Sequence, residues 1–415
     1  MRHPDAGDLV RLLLSRLRNG TLVVDDSDGR RHTYGSGEPV ATVQVHARSA
    51  WRAALGGSLG IARAYVDGLW DSPDLVAVFR LAARNSGTAD ALRRRLQPLA
   101  SPSQHLRASL RPPTRRQARA DIGAHYDLGE ELFSRMLDPT MMYSCAVFTS
   151  PQQTLEEAQR AKLEMICDKL ALAPGDRVVE IGTGWGGFAL HAAATRGCEV
   201  TTTTISADQH AYATRRVAEA GLEDQVTVLL SDYRDLSGRY DKLVSIEMIE
   251  AVGWRQTGLF FETCSNLIAP GGAMLLQAIT IDDRLFEIEK ASRSFIKELV
   301  FPGGSLPSLR TLTDDIARQT DLQVVGLDDL TEHYVTTLAR WRASFLDHAA
   351  ELRELGYGDR FERLWTLYLS YCEAGFAERR ICDVQMLLAK RGARLERQHA
   401  SLAPAPGARD AVHPL

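Results

Sequence analysis

The chain has 415 residues, 45% of them hydrophobic and 25% charged, with a formal net charge of −4; it is long for one core and comfortable for two. No run of about 18 apolar residues occurs, so no membrane-spanning helix is expected, and Arg11, Arg16 and Arg18 interrupt the N-terminal leucines, so no secretory signal is expected. Cys145, Cys167, Cys198, Cys264, Cys372 and Cys382 stand singly with no CxxC pair, which argues against a zinc site or a disulfide framework and for a reducing cytoplasm.

In chain order, "DLVRLLLSRL" has helical spacing, and "GTLVVDD", "HTYGSG" and "ATVQVH" alternate like short strands between turn residues. "GSLGIARAYVDGLWDSPDL" reads as a helix ending in a turn, and "VAVFRLAARN" as a second helix. These segments make residues 1–95 a small α+β domain. A Pro- and Ser-punctuated linker is expected over 96–120. Residues 1–120 carry 19 arginines, no lysine and 10 acids, a net +9 that leaves −13 for the remainder. Eight arginines and no acid lie between Arg93 and Arg119. Such a block is either a solvated linker or a contact with an anionic surface. It has no interleaved aromatics, so nucleic acid is not the expected partner.

A second domain is expected over 121–398, followed by a disordered tail over 399–415. Thr154 and Glu157 have capping-box spacing at the head of "TLEEAQRAKLEMICDKLAL". Then "RVVEI", "EVTTTTI", "QVTVLL", "KLVSIE" and "AMLLQAITI" read as strands, several of them separated by helical stretches. That is the pattern of a doubly wound, mostly parallel sheet.

Gly182, Gly184 and Gly187 form GxGxxG at the first of these strand–helix junctions. Alone, this spacing also fits a plain tight turn. A P-loop is excluded because GK[ST] is missing. A dinucleotide site wants an acid about 20 residues on, and "TTTTISADQ" offers only Asp208. Instead Glu180 lies two residues before the first glycine. This acid–x–Gly–x–Gly order, with polar stretches after the second and third strands, is that of class I S-adenosylmethionine (SAM) methyltransferases.

Taken together, "HYDLGEELFSRMLDPTMMYSCAVF", "VVEIGTGWGG", "TISADQ", "YDKLVSIEMIEAVG", "FIKELVFPGG", "HYVTTLARW" and "YCEAGF" resemble the cyclopropane-fatty-acyl-phospholipid synthase family, which includes the mycolic acid cyclopropane synthases. The resemblance implies an α/β class I SAM methyltransferase fold, with a seven-stranded mostly parallel sheet and a small α+β N-terminal domain. It implies that Tyr143 and Ser144 close over SAM, and that Val178, Glu180, Gly182, Thr183, Gly184, Trp185 and Gly186 cradle it. Thr204, Ile205, Ser206 and Gln209 would hold the ribose side; Tyr233 and Arg234 would hold the adenine side. It also implies a bicarbonate ion held by Cys145, Glu250, Gln277, Ile279 and Tyr334, with Cys372 as a further active cysteine. Gln277 stands where the family has histidine, and Ala251 where many members have another. Glu247 is given no catalytic part.

The chemistry these residues would serve is methylation of a cis alkene in a phospholipid acyl chain. Water must be excluded from the cation that forms, and aromatic faces such as Tyr143, Phe148, Trp185 and Tyr334 could stabilise it. A base then takes a proton, and which proton leaves decides between a cyclopropane, the preferred product, and a 10-methylene branch that a partner reductase would saturate. The expected setting is cytoplasmic and peripheral on an anionic membrane, with a homodimer as the expected self-association. A methyltransferase for small soluble amines or hydroxyls, and a non-catalytic SAM- or lipid-binding protein, are the competing classes.

Overall fold

The computed structural model describes residues 5–87, 90 and 128–395. The arginine block, the linker and the 399–415 tail lie outside the described residues.

The N-terminal strands are short because each meets turn residues. β1 (Gly20–Asp25), β2 (Arg31–Ser36), β3 (Val40–Val45) and β4 (Trp70–Asp71) form a sheet in the order β2-β1-β3-β4. β1 alternates buried and half-buried residues, so Leu22 and Val24 point to one core. Helix Leu75–Asn85 starts at Asp74, whose side chain caps the Ala77 N–H. This helix packs on Asp359–Ala377, with Phe79 edge-on to Tyr371 at 5.3 Å. Arg80 and Arg84 both bond Glu378, at 2.7 and 2.8 Å. Arg363 lies 4.1 Å over the Tyr65 ring and donates to the Tyr65 carbonyl. These contacts explain one compact unit made from the described residues of Met1–Leu110 with Ala291–Pro302 and Leu338–Arg380.

The other unit comprises the described residues of Arg111–Lys290, Gly303–Thr337 and Ile381–Leu415. Its strands are β5 (Arg177–Ile181), β6 (Glu199–Thr204), β7 (Val226–Leu230), β8 (Tyr240–Ile246), β9 (Ile268–Ile281), β10 (Gln323–Asp329) and β11 (Ile381–Ala389). They lie in the order β10-β11-β9-β8-β5-β6-β7. All neighbours from β9 to β7 are parallel, and β11 runs against both β9 and β10. This is the class I SAM methyltransferase fold. Successive residues serve opposite faces: Val179, Leu243, Met274 and Leu276 enter one core, while Val178, Val244, Ala273 and Leu275 enter the other. Burial on both faces is why the centres of β5, β8 and β9 are rich in apolar residues. The five strands read from sequence are β5 to β9. β10 and β11 were not among them, because exposed Val324, Val325 and Leu327 and buried Asp383 and Gln385 blur their patterns.

Strand order reverses at β5, which has β8 on one side and β6 on the other. The crevice beyond the carboxyl ends of these strands is where ligands bind in such sheets. Among the described residues, no helix is long and apolar enough to cross a membrane.

Candidate active site

The glycine turn leaves β5 with three left-handed glycines: Gly182, Gly184 and Gly186, at φ +101°, +51° and +87°. A Cβ on Gly182 would approach Met248 to 3.0 Å. A Cβ on Gly184 would meet nothing within 4 Å, so the turn presents bare backbone to open space. The Gly182 and Thr183 N–H groups donate to the Thr203 carbonyl, which ties the turn to β6. Val178 is core. Glu180 is buried and accepts from the Thr202 hydroxyl at 2.6 Å, and Thr202 is also 2.8 Å from the Thr183 hydroxyl. Burial pushes the Glu180 carboxyl up to about 8. Trp185 is buried between Phe133 and Tyr212, so its ring is core packing.

After β6, Thr204 donates to Gln209 Oε1 at 2.8 Å and Ser206 caps the helix Ala207–Glu219; Ile205 lies between them. After β7, Arg234 grips Asp232 through Nε at 2.8 Å and Nη2 at 2.6 Å, and also reaches Gln256. The Arg234 guanidinium is thereby committed to protein partners. Tyr233 packs on Phe260, and its buried hydroxyl has no partner among the described residues. These pieces fit an adenosyl ligand. Bare backbone lies at the switch point, polar groups follow β6 and β7, and a buried phenol remains to be satisfied.

On the other side of β5, β8 delivers Glu247. Its φ of +48° is left-handed, a conformation that costs a non-glycine residue about 1–3 kcal/mol. The Glu247 N–H is held by the Gln277 carbonyl at 2.9 Å. Glu247 Oε1 accepts from the Cys145 N–H and from Gln277 Nε2, each at 2.8 Å, and Oε2 accepts from the Tyr334 hydroxyl at 2.6 Å. Three of the residues expected around bicarbonate thus converge on Glu247. The other two pair with each other, since Glu250 Oε1 accepts from the Ile279 N–H at 2.5 Å. Glu250 Oε2 is buried and has no partner among the described residues.

Asp383 completes the cluster. It faces Ile279 across the β9–β11 ladder and accepts from Gln277 Nε2 at 2.9 Å. Lys162, from helix Leu155–Lys169, is fully buried and donates to the Ser144 hydroxyl at 2.6 Å. Burial pushes Asp383 well above the usual carboxylate range, raises Glu250 to about 8, raises Glu247 and lowers Lys162 to about 8. With one ammonium among three carboxyls, the negative charge settles where most donors point. That place is Glu247, with three donors. Burial also pushes the Cys145 thiol well up, so it is no nucleophile.

The segment 144–148 is strapped to helix Thr331–Asp347. The Ala146 N–H donates to Thr337 Oγ1 at 3.1 Å and the Phe148 N–H to His333 Nδ1 at 3.2 Å. Burial lowers the His333 pKa, which suits the neutral, accepting ring. Phe148 packs with Ala146, Ala158 and Leu155 in a small satellite core, while Tyr143 packs edge-on to Phe133. Cys372 belongs to the first unit, on helix Asp359–Ala377, where burial pushes its thiol up to about 12. Glu247, Asp383 and Lys162 are the residues of this cluster that sequence reasoning missed. The available signal for Glu247 was its position at the carboxyl end of the strand beside the glycine turn.

Residues 114–386 match the family described as mycolic acid cyclopropane synthetase. The chain is 38% identical over 369 residues to the tuberculostearic acid methyltransferase of Mycobacterium tuberculosis, covering 86% of each. It is 37% identical over 340 residues to the cyclopropane-fatty-acyl-phospholipid synthase of Escherichia coli, covering 80% of this chain and 82% of that one. The solved mycolic acid cyclopropane synthase CmaA1, complexed with SAH and CTAB, superposes with a TM-score of 0.61 at 30% identity, over 66% of this chain and 98% of that one. The chain therefore belongs to the mycolic acid cyclopropane synthetase family and is a SAM-dependent methyltransferase.

Proposed function

We propose that the chain methylates the cis double bond of an unsaturated phospholipid acyl chain, with Glu247 as the proton acceptor, and yields a methylene-branched chain. One observation carries this reading: the donors expected to hold bicarbonate are aimed at the Glu247 carboxylate. A base is therefore built into the chain where the resemblance had implied a captured ion.

Tyr143, Ser144, Glu180, the backbone of the 182–186 turn, Thr204 to Gln209 and Tyr233 are the residues we assign to SAM. When bound, SAM supplies a methyl on a sulfonium: the alkene π pair forms the C–C bond, the C–S pair stays on sulfur, and the neighbouring alkene carbon becomes cationic. Hydride migration from the methylated carbon brings the charge to the branch point. Loss of a methyl proton to Glu247 then leaves a C=CH2 group, which a partner reductase could saturate. Loss of that proton before migration closes a cyclopropane instead. The cyclopropane is the second reading, favoured by the name of the Escherichia coli relative; the name of the tuberculostearic acid methyltransferase favours the branched product.

The substrate places the reaction at a bilayer, and we assign the arginine-rich 93–119 segment to anionic headgroups on the cytoplasmic face. Flotation with anionic vesicles, weakened by salt, is the matching result.

The deciding experiment incubates the purified chain with SAM and oleoyl-phospholipid vesicles and reads proton NMR of the extracted lipid. Vinylidene protons in the alkene region support the first reading and upfield ring protons the second. Turnover should be indifferent to removal of bicarbonate. No lipid product under any of these conditions would overturn the proposal.

A further inference from the structure

A glutamine at position 277, beside Glu247, raises a physical problem. An amide has one donor end and one acceptor end. Gln277 supports a carboxylate base only if its nitrogen faces Glu247. Turned over, its oxygen would repel that carboxylate.

The sheet register supplies an answer. Asp328 on β10 pairs with Gln385 on β11, and Gln385 pairs with Gln277 on β9. Paired residues share a face, so these three side chains stand in one row. Lys169, the last residue of helix Leu155–Lys169, reaches the row and pairs with Asp328 at 2.8 Å. Its ammonium also donates to Gln385 Oε1 at 2.7 Å. Gln385 Nε2 donates to Gln277 Oε1 at 3.1 Å. Gln277 Nε2 then donates to both Glu247 Oε1 and Asp383 Oδ2.

An ammonium can only donate. It therefore dictates that Gln385 presents oxygen to it and nitrogen to Gln277. Gln277 must in turn present oxygen to Gln385 and nitrogen to the carboxylates. We propose that Lys169 and Gln385 are positioning residues that lock the Gln277 amide in the orientation the base requires. The row begins at a partly exposed ion pair and ends on half-buried Glu247 and fully buried Asp383. The inference rests on Glu247 being the base.

The test is Gln385→Glu. Its carboxylate accepts from Lys169 but has no proton for Gln277 Oε1, so the Gln277 amide turns and puts oxygen toward Glu247. Lys162, Glu250, Asp383, Tyr334 and Cys145 also face Glu247, and all are unchanged. The kcat at neutral pH should fall roughly 10- to 100-fold, with the KM for SAM within about twofold and the acid limb of kcat moved to higher pH. Lys169→Met, at the partly exposed end where folding is least at risk, should move kcat and the limb the same way. Lys169→Arg, which keeps the donor, should restore both. Unchanged kcat and an unchanged limb in Gln385→Glu and Lys169→Met, with Glu247→Gln inactive, would overturn the inference and leave the base intact. An active Glu247→Gln would instead remove the base itself, and with it the need for the row.

Discussion

The two sides of β5 solve different physical problems. Toward β6 and β7 the chain offers backbone: three left-handed glycines and short polar side chains, with one buried acid tied to threonines. Toward β8, β9 and β11 it offers side chains: buried Asp383, half-buried Glu247 and Glu250, one buried ammonium and an amide row. The first side can receive a large polar ligand with little rearrangement. The second concentrates charge in a dry place, where each donor counts for more than it would in water. Glu247 and Met248 join the two sides, because Met248 packs on Gly182 while Glu247 takes the donors.

Substitutions that strike one side and spare the other test this division. The largest effect is expected from Glu247→Gln. Lipid product should fall about 10²- to 10⁴-fold, as for loss of a general base, while calorimetric SAM affinity stays within about threefold. Gly182→Val should do the reverse. A β-branched side chain at φ +101°, pressed on Met248, should weaken SAM binding roughly 10- to 100-fold by calorimetry. Weak SAM binding in Glu247→Gln would collapse the distinction between the sides.

Lys162→Met should act through proton affinity. The Lys162 cation lowers the pKa of both Glu247 and Asp383, so its removal raises them. The base works deprotonated, so activity should fall several-fold more at pH 6.5 than at pH 8.5. A pH–rate profile checks this.

Glu250→Gln concerns stability. Folded Glu250 keeps its proton up to about pH 8, against 4.5 for an ordinary glutamate. The stability this group contributes is therefore fully present below about 4.5 and is lost as pH rises through about 8. A glutamine cannot titrate, so the Tm of the variant should decline less between pH 5 and pH 8. The smallest effect is expected for Cys145→Ala. It keeps the backbone N–H that serves Glu247 and removes only a protonated thiol, so turnover should change less than about threefold, with a stability cost of about 1 kcal/mol.

The cradle side was legible in advance because its parts are contiguous. Glu180 through Gly187 is one strand–turn–helix, and backbone geometry demands glycine there whatever the rest of the chain does. Strands β5 to β9 were legible from their apolar and β-branched residues, set between turns and helical stretches. The base side was not. Cys145, Lys162, Glu247, Gln277, Tyr334 and Asp383 are scattered over more than half the chain, and each has an ordinary structural reading alone. Gln277 looked like a lost histidine until β11 placed Gln385 opposite it.

The sequence by itself therefore determined the parallel sheet and the glycine turn, since local periodicity and short-range backbone constraint are written residue by residue, and its motifs together carried the resemblance to the family and its SAM chemistry. Tertiary structure alone decided which carboxyl receives the most donors and which way Gln277 faces. Burial and donor geometry settle those matters, and both exist only after β8, β9, β10 and β11 lie side by side.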